Sequence, residues 1–161
     1  MLINKLIPLF ASWGLVGASS YLLLKTGGYT IRRVEGPSMR PTFNPKYSYF
    51  NDYILLKKVD FHNKSNLIIN SIICVKHPKR SKGYLIKRLI ANENETVVLS
   101  HNLTTNNRTI EKLIPEGHCW IQSDAGPGYL DSTSYLGPIS YDKVVGKALY
   151  VIWPPVRVRK L

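Results

Sequence analysis

The chain has 161 residues and a formal net charge of +12, from 22 Lys and Arg against 10 Asp and Glu. This length suits one domain with a hydrophobic core, and the hydrophobic content of 44% argues against a disordered chain. The charge fits nucleic acid, anionic lipid or a solvated basic face, but "KHPKRSKGYLIKR" carries one aromatic residue and matches no nucleic-acid module, so we expect no nucleic-acid partner.

The N-terminal part of the chain differs from the rest. Between Lys5 and Lys25 lie 19 uncharged residues, "LIPLFASWGLVGASSYLLL". A helix of that length spans about 28 Å, close to the thickness of the hydrocarbon core of a membrane. No small-residue cleavage site of the signal-peptide type follows it. We therefore predict that residues 1–29 form a retained, single-pass membrane anchor and that residues 30–161 form a separate β-rich domain.

The stretch "VEGPSMRPTFNP" places one serine among turn-forming residues. Gly36 and Pro37 precede Ser38, and Pro41 follows it closely. Glycine permits backbone angles that other residues avoid and proline removes conformers, so we expect Ser38 to lie on a rigid, exposed turn. For this stretch alone, the alternative is an ordinary Gly-Pro turn whose serine caps a neighbouring element.

Beyond the anchor, apolar residues recur with a period of two, which is typical of strands. Six segments rich in Ile, Val, Leu and Tyr are separated by Gly, Pro and Asn clusters: residues 52–61, 67–77, 83–91, 95–100, 118–124 and 143–153. No long amphipathic helix with capping residues interrupts them. The predicted fold is mainly β, an antiparallel, barrel-like domain.

The segment "GYLIKRLIA" contains a lysine among aliphatic residues. Alternation along a strand puts Leu85, Lys87 and Leu89 on one face. Partial desolvation disfavours the ammonium form and lowers the pKa of such a lysine, so its neutral amine can act as a general base. The alternative, which this strand taken alone favours, is an edge-strand lysine that deters aggregation.

The two cysteines, Cys74 and Cys119, stand alone in the sequence and fit no metal-ligand spacing. We predict no metal site and no cofactor. A disulfide between the two cysteines stays open at this point, because it depends on whether the compartment is oxidising.

Four segments then form an ordered set: "GPSMRPTFNP", "DYILLKK", "YLIKRLIA" and "PEGHCWIQSD" with "LDSTSYLGPIS". In this order they resemble the conserved boxes of the type I signal peptidases, the Ser-Lys membrane protease family, over nearly all of the chain from Glu35 on. The "IWPP" ending is similar to the mitochondrial branch of that family. The resemblance implies Ser38 as the nucleophile and Lys87 as its general base.

The same resemblance implies roles for neighbouring residues. The backbone N–H of Ser38 would donate to the oxyanion, and Met39 would line the floor of the site. Asp124 and Asp131 would hold the loops of the site. The supporting residues implied are Gly36, Pro37, Met39, Asp124, Asp131 and Ser132. In this chain Gly36 replaces a hydroxyl-bearing oxyanion donor, and "SDA" replaces the family's G-D-N. Tyr129 replaces a serine that often orients the lysine, so we expect the Tyr129 phenol or the Ser132 hydroxyl in that role.

The function implied is a serine endopeptidase of the mitochondrial inner membrane, single-pass, with its catalytic domain in the intermembrane space. It would remove hydrophobic sorting or signal sequences from precursor proteins, contact inner membrane lipid and pair with a related subunit 1 as a hetero-dimer. The alternatives are a bacterial-type leader peptidase of the cell envelope and a non-enzymatic, membrane-anchored basic β domain that binds anionic lipid or nucleic acid. A Ser-His-Asp hydrolase is disfavoured, because no histidine lies in a recognisable triad setting: His62, His77, His101 and His118.

Overall fold

The computed structural model describes Leu22 and residues 26–59, 67–78, 83–103 and 106–161. The predicted anchor, residues 1–29, therefore lies almost entirely outside the described residues. Among the residues that are described, no helix is long and apolar enough to cross a membrane. The chain divides into two compact units, Met1–Thr30 and Ile31–Leu161, and the candidate site residues all belong to the second.

Ten strands form in the described residues: β1 Tyr29–Arg33, β2 Tyr53–Lys58, β3 Ile72–Lys76, β4 Tyr84–Ala91, β5 Thr96–Leu103, β6 Asn106–Leu113, β7 His118–Gln122, β8 Ile139–Ser140, β9 Val144–Trp153 and β10 Arg159–Lys160. The main sheet has the order β1-β2-β9-β3-β4-β7-β8, with β10 paired to β9, while β5 and β6 form a separate hairpin. A π-helical turn at Ser132–Leu136 and 3-10 turns at Tyr141–Lys143 and Pro155–Arg157 complete the elements.

The predicted fold class is confirmed in its main features, since the sheet is built from antiparallel pairs such as β2–β9, β3–β4 and β4–β7. The sheet is open, with β1 and β8 at its two ends, so it forms half of a barrel rather than a closed one. Each of the six predicted segments overlaps a strand, although β5 runs three residues beyond the predicted segment 95–100. The prediction missed β1, β6, β8 and β10, which are short or too polar to show a clear period of two.

The hydrophobic core surrounds the middle of the main sheet. Alternate residues of β3 enter two different clusters, with Ile72 and Cys74 in one and Ile73 and Val75 in the other. This strand is therefore buried on both faces, which explains its nearly continuous apolar sequence. A third, smaller cluster around Trp120 packs against the β5–β6 hairpin through Val97 and Leu99 on β5.

The two cysteines are free and buried, and they lie in different clusters of the core. The disulfide left open by the sequence is therefore not formed. Burial raises the pKa of each thiol to about 12, so both Cys74 and Cys119 are neutral core residues.

A close approach of two strands depends on one glycine. A Cβ added at Gly146 on β9 would lie 2.5 Å from the carbonyl oxygen of Lys57 on β2. No side chain fits at that distance, so the pairing of β2 with β9 requires glycine at this position.

Candidate active site

Ser38 lies on a turn between β1 and β2. The Arg40 backbone N–H donates a hydrogen bond of 3.0 Å to the Pro37 carbonyl, which closes a turn with Ser38 and Met39 at its centre. Gly36 has a φ of +79°, a conformation in which other residues are strained. The Met39 side chain is 2% exposed and packs in the first core cluster, while Ser38 is half-buried. The structure thus gives the hydroxyl a fixed place at the edge of the core.

The ends of the loop that carries Ser38 are joined by a buried amide and a buried carboxylate. The Asn44 side chain donates to the Val34 carbonyl at 2.8 Å and accepts from the Asp52 backbone N–H at 2.7 Å. The Asp52 carboxylate accepts from the Asn44 backbone N–H and from Nε of Arg157, each at 2.7 Å. Asn44 and Asp52 belong to the boxes "GPSMRPTFNP" and "DYILLKK", but sequence reasoning assigned them no role. Their hydrogen bonds to each other and to Arg157 depend on the tertiary fold.

Lys87 occupies the middle of the main sheet. Its strand β4 pairs with β3 on one side and with β7 on the other, and the Lys87 side chain is 2% exposed. The alternative of an edge-strand lysine is therefore wrong. Desolvation by burial lowers the pKa of Lys87, and the charges of Asp131 and Asp124 oppose this shift without cancelling it. The buried amine is thus biased toward its neutral form.

One short stretch, the Ser123–Ala125 segment, contacts both candidate catalytic residues. The Lys87 Nζ donates to the Ser123 Oγ at 2.9 Å, and the Ala125 backbone N–H donates to the Ser38 carbonyl at 3.0 Å. Among the hydrogen bonds of the described residues, none joins the Ser38 Oγ directly to the Lys87 Nζ. The segment is therefore the physical link between the Ser38 turn and strand β4.

The lysine's partner differs from the one expected. We expected the Tyr129 phenol or the Ser132 hydroxyl to orient Lys87, but the hydrogen bond is made by Ser123. The Ser132 hydroxyl instead accepts from the Ile121 backbone N–H at 3.0 Å. The signal for this partner is the serine at the first position of "SDA", a position that the resemblance marks only as a departure from the family's G-D-N.

Asp131 holds the loop that follows β7. Its carboxylate is 1% exposed and accepts from the backbone N–H of Ser123 at 3.1 Å. It also accepts from the N–H groups of Thr133 and Ser134, which caps the π-helical turn Ser132–Leu136. These bonds connect the loop to the residue that contacts Lys87.

Asp124 is held by a two-pronged ion pair with Arg88. The Arg88 Nε and Nη2 donate to the two carboxylate oxygens at 2.7 and 2.6 Å, and the Thr42 hydroxyl donates to the same group. Burial alone would raise the pKa of Asp124, but the hydrogen bonds from Arg88 and Thr42 hold it below its ordinary value. Since Thr42 belongs to the Ser38 loop, this pair adds a second link between that loop and β4. Sequence reasoning assigned no role to Arg88 or Thr42.

A cavity of about 320 Å³ adjoins this arrangement. Its lining includes Arg32, Val34, Met39, Cys74, Tyr84 and Ile86. Met39 and Ile86 are the chain neighbours of Ser38 and Lys87, while neither Ser38 nor Lys87 is itself part of the described lining.

The histidines show no triad in the part of the chain that the structure describes. The half-buried His118 ring contacts the Glu116 carbonyl at 2.9 Å through Nδ1. His62 and the side chain of His101 lie outside the described residues. Nothing in the described geometry therefore supports the Ser-His-Asp alternative.

No protein-family model matches the chain, but curated proteins do. It is 34% identical over 131 residues to "Mitochondrial inner membrane protease subunit 2" of Danio rerio, covering 81% of this chain and 68% of the relative. The subunit 2 protein of Saccharomyces cerevisiae is 34% identical over 128 residues, with 79% and 70% covered. "Mitochondrial ATP-independent inner membrane protease subunit 1a" of Arabidopsis thaliana is 31% identical over 148 residues, with 91% and 84% covered. On this evidence the chain belongs to the mitochondrial inner membrane protease subunit 2 family.

Proposed function

We propose that the chain is a serine endopeptidase of the mitochondrial inner membrane, with Ser38 as nucleophile and Lys87 as general base. The observation that carries the proposal is the Ser123–Ala125 segment, which contacts the Lys87 amine through a side chain and the Ser38 backbone through an N–H. A catalytic dyad needs a nucleophile and a base held within reach of each other by surrounding structure. The names of the relatives, which are proteases of this membrane, support the same class of activity.

The chemistry follows from the burial of Lys87. Its neutral amine accepts the proton of the Ser38 hydroxyl as the Oγ attacks the scissile carbonyl, and the ammonium so formed donates that proton to the departing amine. In the second half of the reaction, Lys87 takes a proton from water as the water oxygen attacks the acyl ester. The ammonium then returns that proton to the Ser38 Oγ as the ester C–O bond breaks, which regenerates the serine hydroxyl and the neutral amine. A lysine 2% exposed suits this cycle, because desolvation keeps the amine neutral nearer to physiological pH.

Two groups would support these steps. The Ser38 backbone N–H donates to the oxyanion of the tetrahedral intermediate, as the resemblance implies. Ser123 acts on the base rather than on the substrate. Its hydroxyl accepts a hydrogen bond from the Lys87 amine and so orients that amine. Bonds of this kind between a nucleophile and its base are often long without substrate and shorten when it binds, so substrate would complete the Ser38–Lys87 contact.

The substrates proposed are precursor proteins with cleavable hydrophobic sorting signals, bound in extended form along the strands beside the site. By resemblance, small side chains would occupy the first and third positions before the cleaved bond. The anchor in residues 1–29 would hold the domain at the inner membrane, facing the intermembrane space. The partner would be a related subunit 1, a proposal supported by the subunit 1 and subunit 2 names among the relatives.

The test replaces the chain in cells by the Ser38→Ala variant and compares the protein N-termini of isolated inner membrane and intermembrane space by mass spectrometry. We expect a set of mature N-termini to disappear and longer precursors with hydrophobic segments to accumulate. Ser134→Ala is the matched control, since it removes a hydroxyl outside the pair and keeps the backbone N–H that donates to the Asp131 carboxylate. An unchanged set of N-termini with Ser38→Ala, at normal protein level, contradicts the proposed function.

A further inference from the structure

The cavity beside the Ser38 turn has the lining of a groove for an extended peptide. Arg32 and Val34, which lead to the turn, and Tyr84 and Ile86 on β4 all face it. Residues two apart on a strand share one face, so two extended stretches line this space. Such a space accepts a third extended chain, and its side-chain lining decides which residues that chain carries.

The Arg32 side chain is the unusual part of this lining. Its guanidinium lies over the Tyr84 ring, 4.3 Å from the ring centroid. Its buried Nε has no hydrogen-bond partner in the described part of the chain. Stacking on the ring orients the cation but offers no oxygen acceptor. A buried donor without an acceptor is rare in folded proteins and calls for a physical explanation.

The other charged groups of the cavity do not neutralise Arg32. Arg33 and Glu35 also line the cavity, and they pair with each other, with 3.8 Å between the Arg33 Nε and the Glu35 carboxylate. Within the described residues, no ion pair joins Glu35 to Arg32. Burial raises the pKa of the Cys74 thiol to about 12 despite the nearby charge of Arg32, so this thiol remains neutral. Arg32 is therefore a cation that faces the cavity without an acidic partner among the described residues.

We propose that this cavity is a subsite for an acidic side chain, Asp or Glu, of the peptide substrate, with Arg32 as the specificity residue. The planar guanidinium presents parallel N–H bonds that match a carboxylate. The apolar side chains of Val34, Met39 and Ile86 restrict water around such a pair, which strengthens it. The inference rests on the proposed peptidase function, because it names a feature of the substrate that the site would bind.

The test measures peptide binding to the full-length Ser38→Ala variant in detergent, so that the probe is not consumed. The probes are fluorescent decapeptides of Ala and Ser that carry one Asp at each position in turn, each paired with the same peptide carrying Asn. At one position we expect Asp to bind about tenfold more tightly than Asn, the size typical of a charge-assisted hydrogen bond. Raising the salt concentration should reduce this ratio, because mobile ions screen the attraction.

Two variants identify the residue responsible. Adding Arg32→Gln should bring the ratio of the affinities for the Asp and Asn peptides to about one. Arg33→Gln removes the same charge from a paired arginine, so most of the preference for Asp should remain. Equal binding of Asp and Asn peptides at every position overturns the proposal, as does a ratio that survives Arg32→Gln. The proposal is also overturned if Arg32→Gln abolishes binding to phosphatidylserine vesicles while peptide binding stays the same, since the cavity would then serve a lipid headgroup.

The failure of this inference can be told apart from failure of the proposed function. Cleavage is measured separately, on the membrane N-termini described above. If Ser38→Ala leaves those N-termini unchanged but the Asp preference depends on Arg32, the peptidase assignment fails and the acidic subsite stands. If cleavage depends on Ser38 but Asp and Asn peptides bind alike, the subsite fails and the peptidase assignment stands.

Discussion

The Ser123–Ala125 segment and the β5–β6 hairpin are stabilised in opposite ways. The hairpin pairs neighbouring stretches in one continuous register, from Thr96 opposite Leu113 to Leu103 opposite Asn106, and Val98 and Ile110 remain more than half exposed. The segment is held by contacts with distant residues, such as the bond between Lys87 and Ser123 across 36 positions. We therefore expect substitutions in the locally paired hairpin to have small effects. Substitutions in the Ser123–Ala125 segment should have larger effects, because they disturb contacts between distant parts of the chain.

The largest effect on activity should come from Lys87→Met. Met has a similar length and suits a buried position, so we expect the fold to survive while precursor cleavage falls by about 10³-fold or more, since the base is lost. Lys87→Arg should be equally inactive, because a guanidinium does not deprotonate in proteins. The matched control is Lys112→Met in the hairpin, which removes an exposed amine and should leave the rate unchanged.

The pH dependence of the wild-type rate sharpens this prediction. The ammonium form of Lys87 is inactive, so the rate should rise with pH through a pKa below the ordinary lysine value of 10.5. The measurement is single-turnover cleavage across a pH series. Near-normal cleavage by Lys87→Met, or a rate that does not rise with pH below 10.5, contradicts the assignment of Lys87 as base.

A smaller loss of activity is expected from Ser123→Ala. The amine would keep its burial but lose its orienting partner, so we expect the rate to fall by about 10- to 100-fold. The removed hydroxyl accepts a hydrogen bond from the ammonium form as well, so its loss should lower the pKa of Lys87 further and move the pH midpoint down. Ser123→Thr keeps a hydroxyl and should restore part of the rate. If the rate falls but the midpoint of the pH–rate profile does not move, Ser123 has only a structural role.

Stability should respond to Gly146→Ala. The added Cβ would meet the Lys57 carbonyl at 2.5 Å in the main sheet, so the strands must separate locally. We expect a loss of about 1–3 kcal/mol in the free energy of unfolding, as for other overpacked sites. Chemical denaturation, with Lys112→Ala in the hairpin as control, measures it. An unchanged unfolding midpoint for Gly146→Ala would mean that the two strands are less closely paired than described.

The smallest effect is expected in the hairpin itself. Ile110 is 54% exposed, so Ile110→Thr should change the free energy of unfolding by less than about 0.5 kcal/mol and leave cleavage unaltered. Ile121 on β7 is fully buried, so Ile121→Thr should lower the free energy of unfolding several times more than Ile110→Thr does. Equal losses from the two substitutions would show that the hairpin contributes to the core as much as the main sheet does.

Much of the architecture could be predicted because it depends on local patterns. The period of two in "YLIKRLIA" predicts a strand whatever surrounds it, and β4 follows. The glycine and proline before Ser38 predict a turn for the same reason, and the bond from Arg40 to Pro37 closes it. The strand β6, "NNRTIEKL", was missed because its polar sequence pairs with β5 through the backbone rather than through an apolar face.

The sequence by itself determined that Ser38 stands on a turn, that Lys87 alternates with leucines on a strand, and that the order of the motifs resembles one protease family. Only the tertiary structure decided that Lys87 is central and buried and that Ser123 is its partner. It also decided that Arg32 lines a cavity without an ion pair to an acidic residue of the described part of the chain, although Glu35 lines the same cavity. The reason is physical. Backbone propensities act over a few residues, whereas burial, pKa and hydrogen-bond partners depend on which distant strands lie side by side in the sheet.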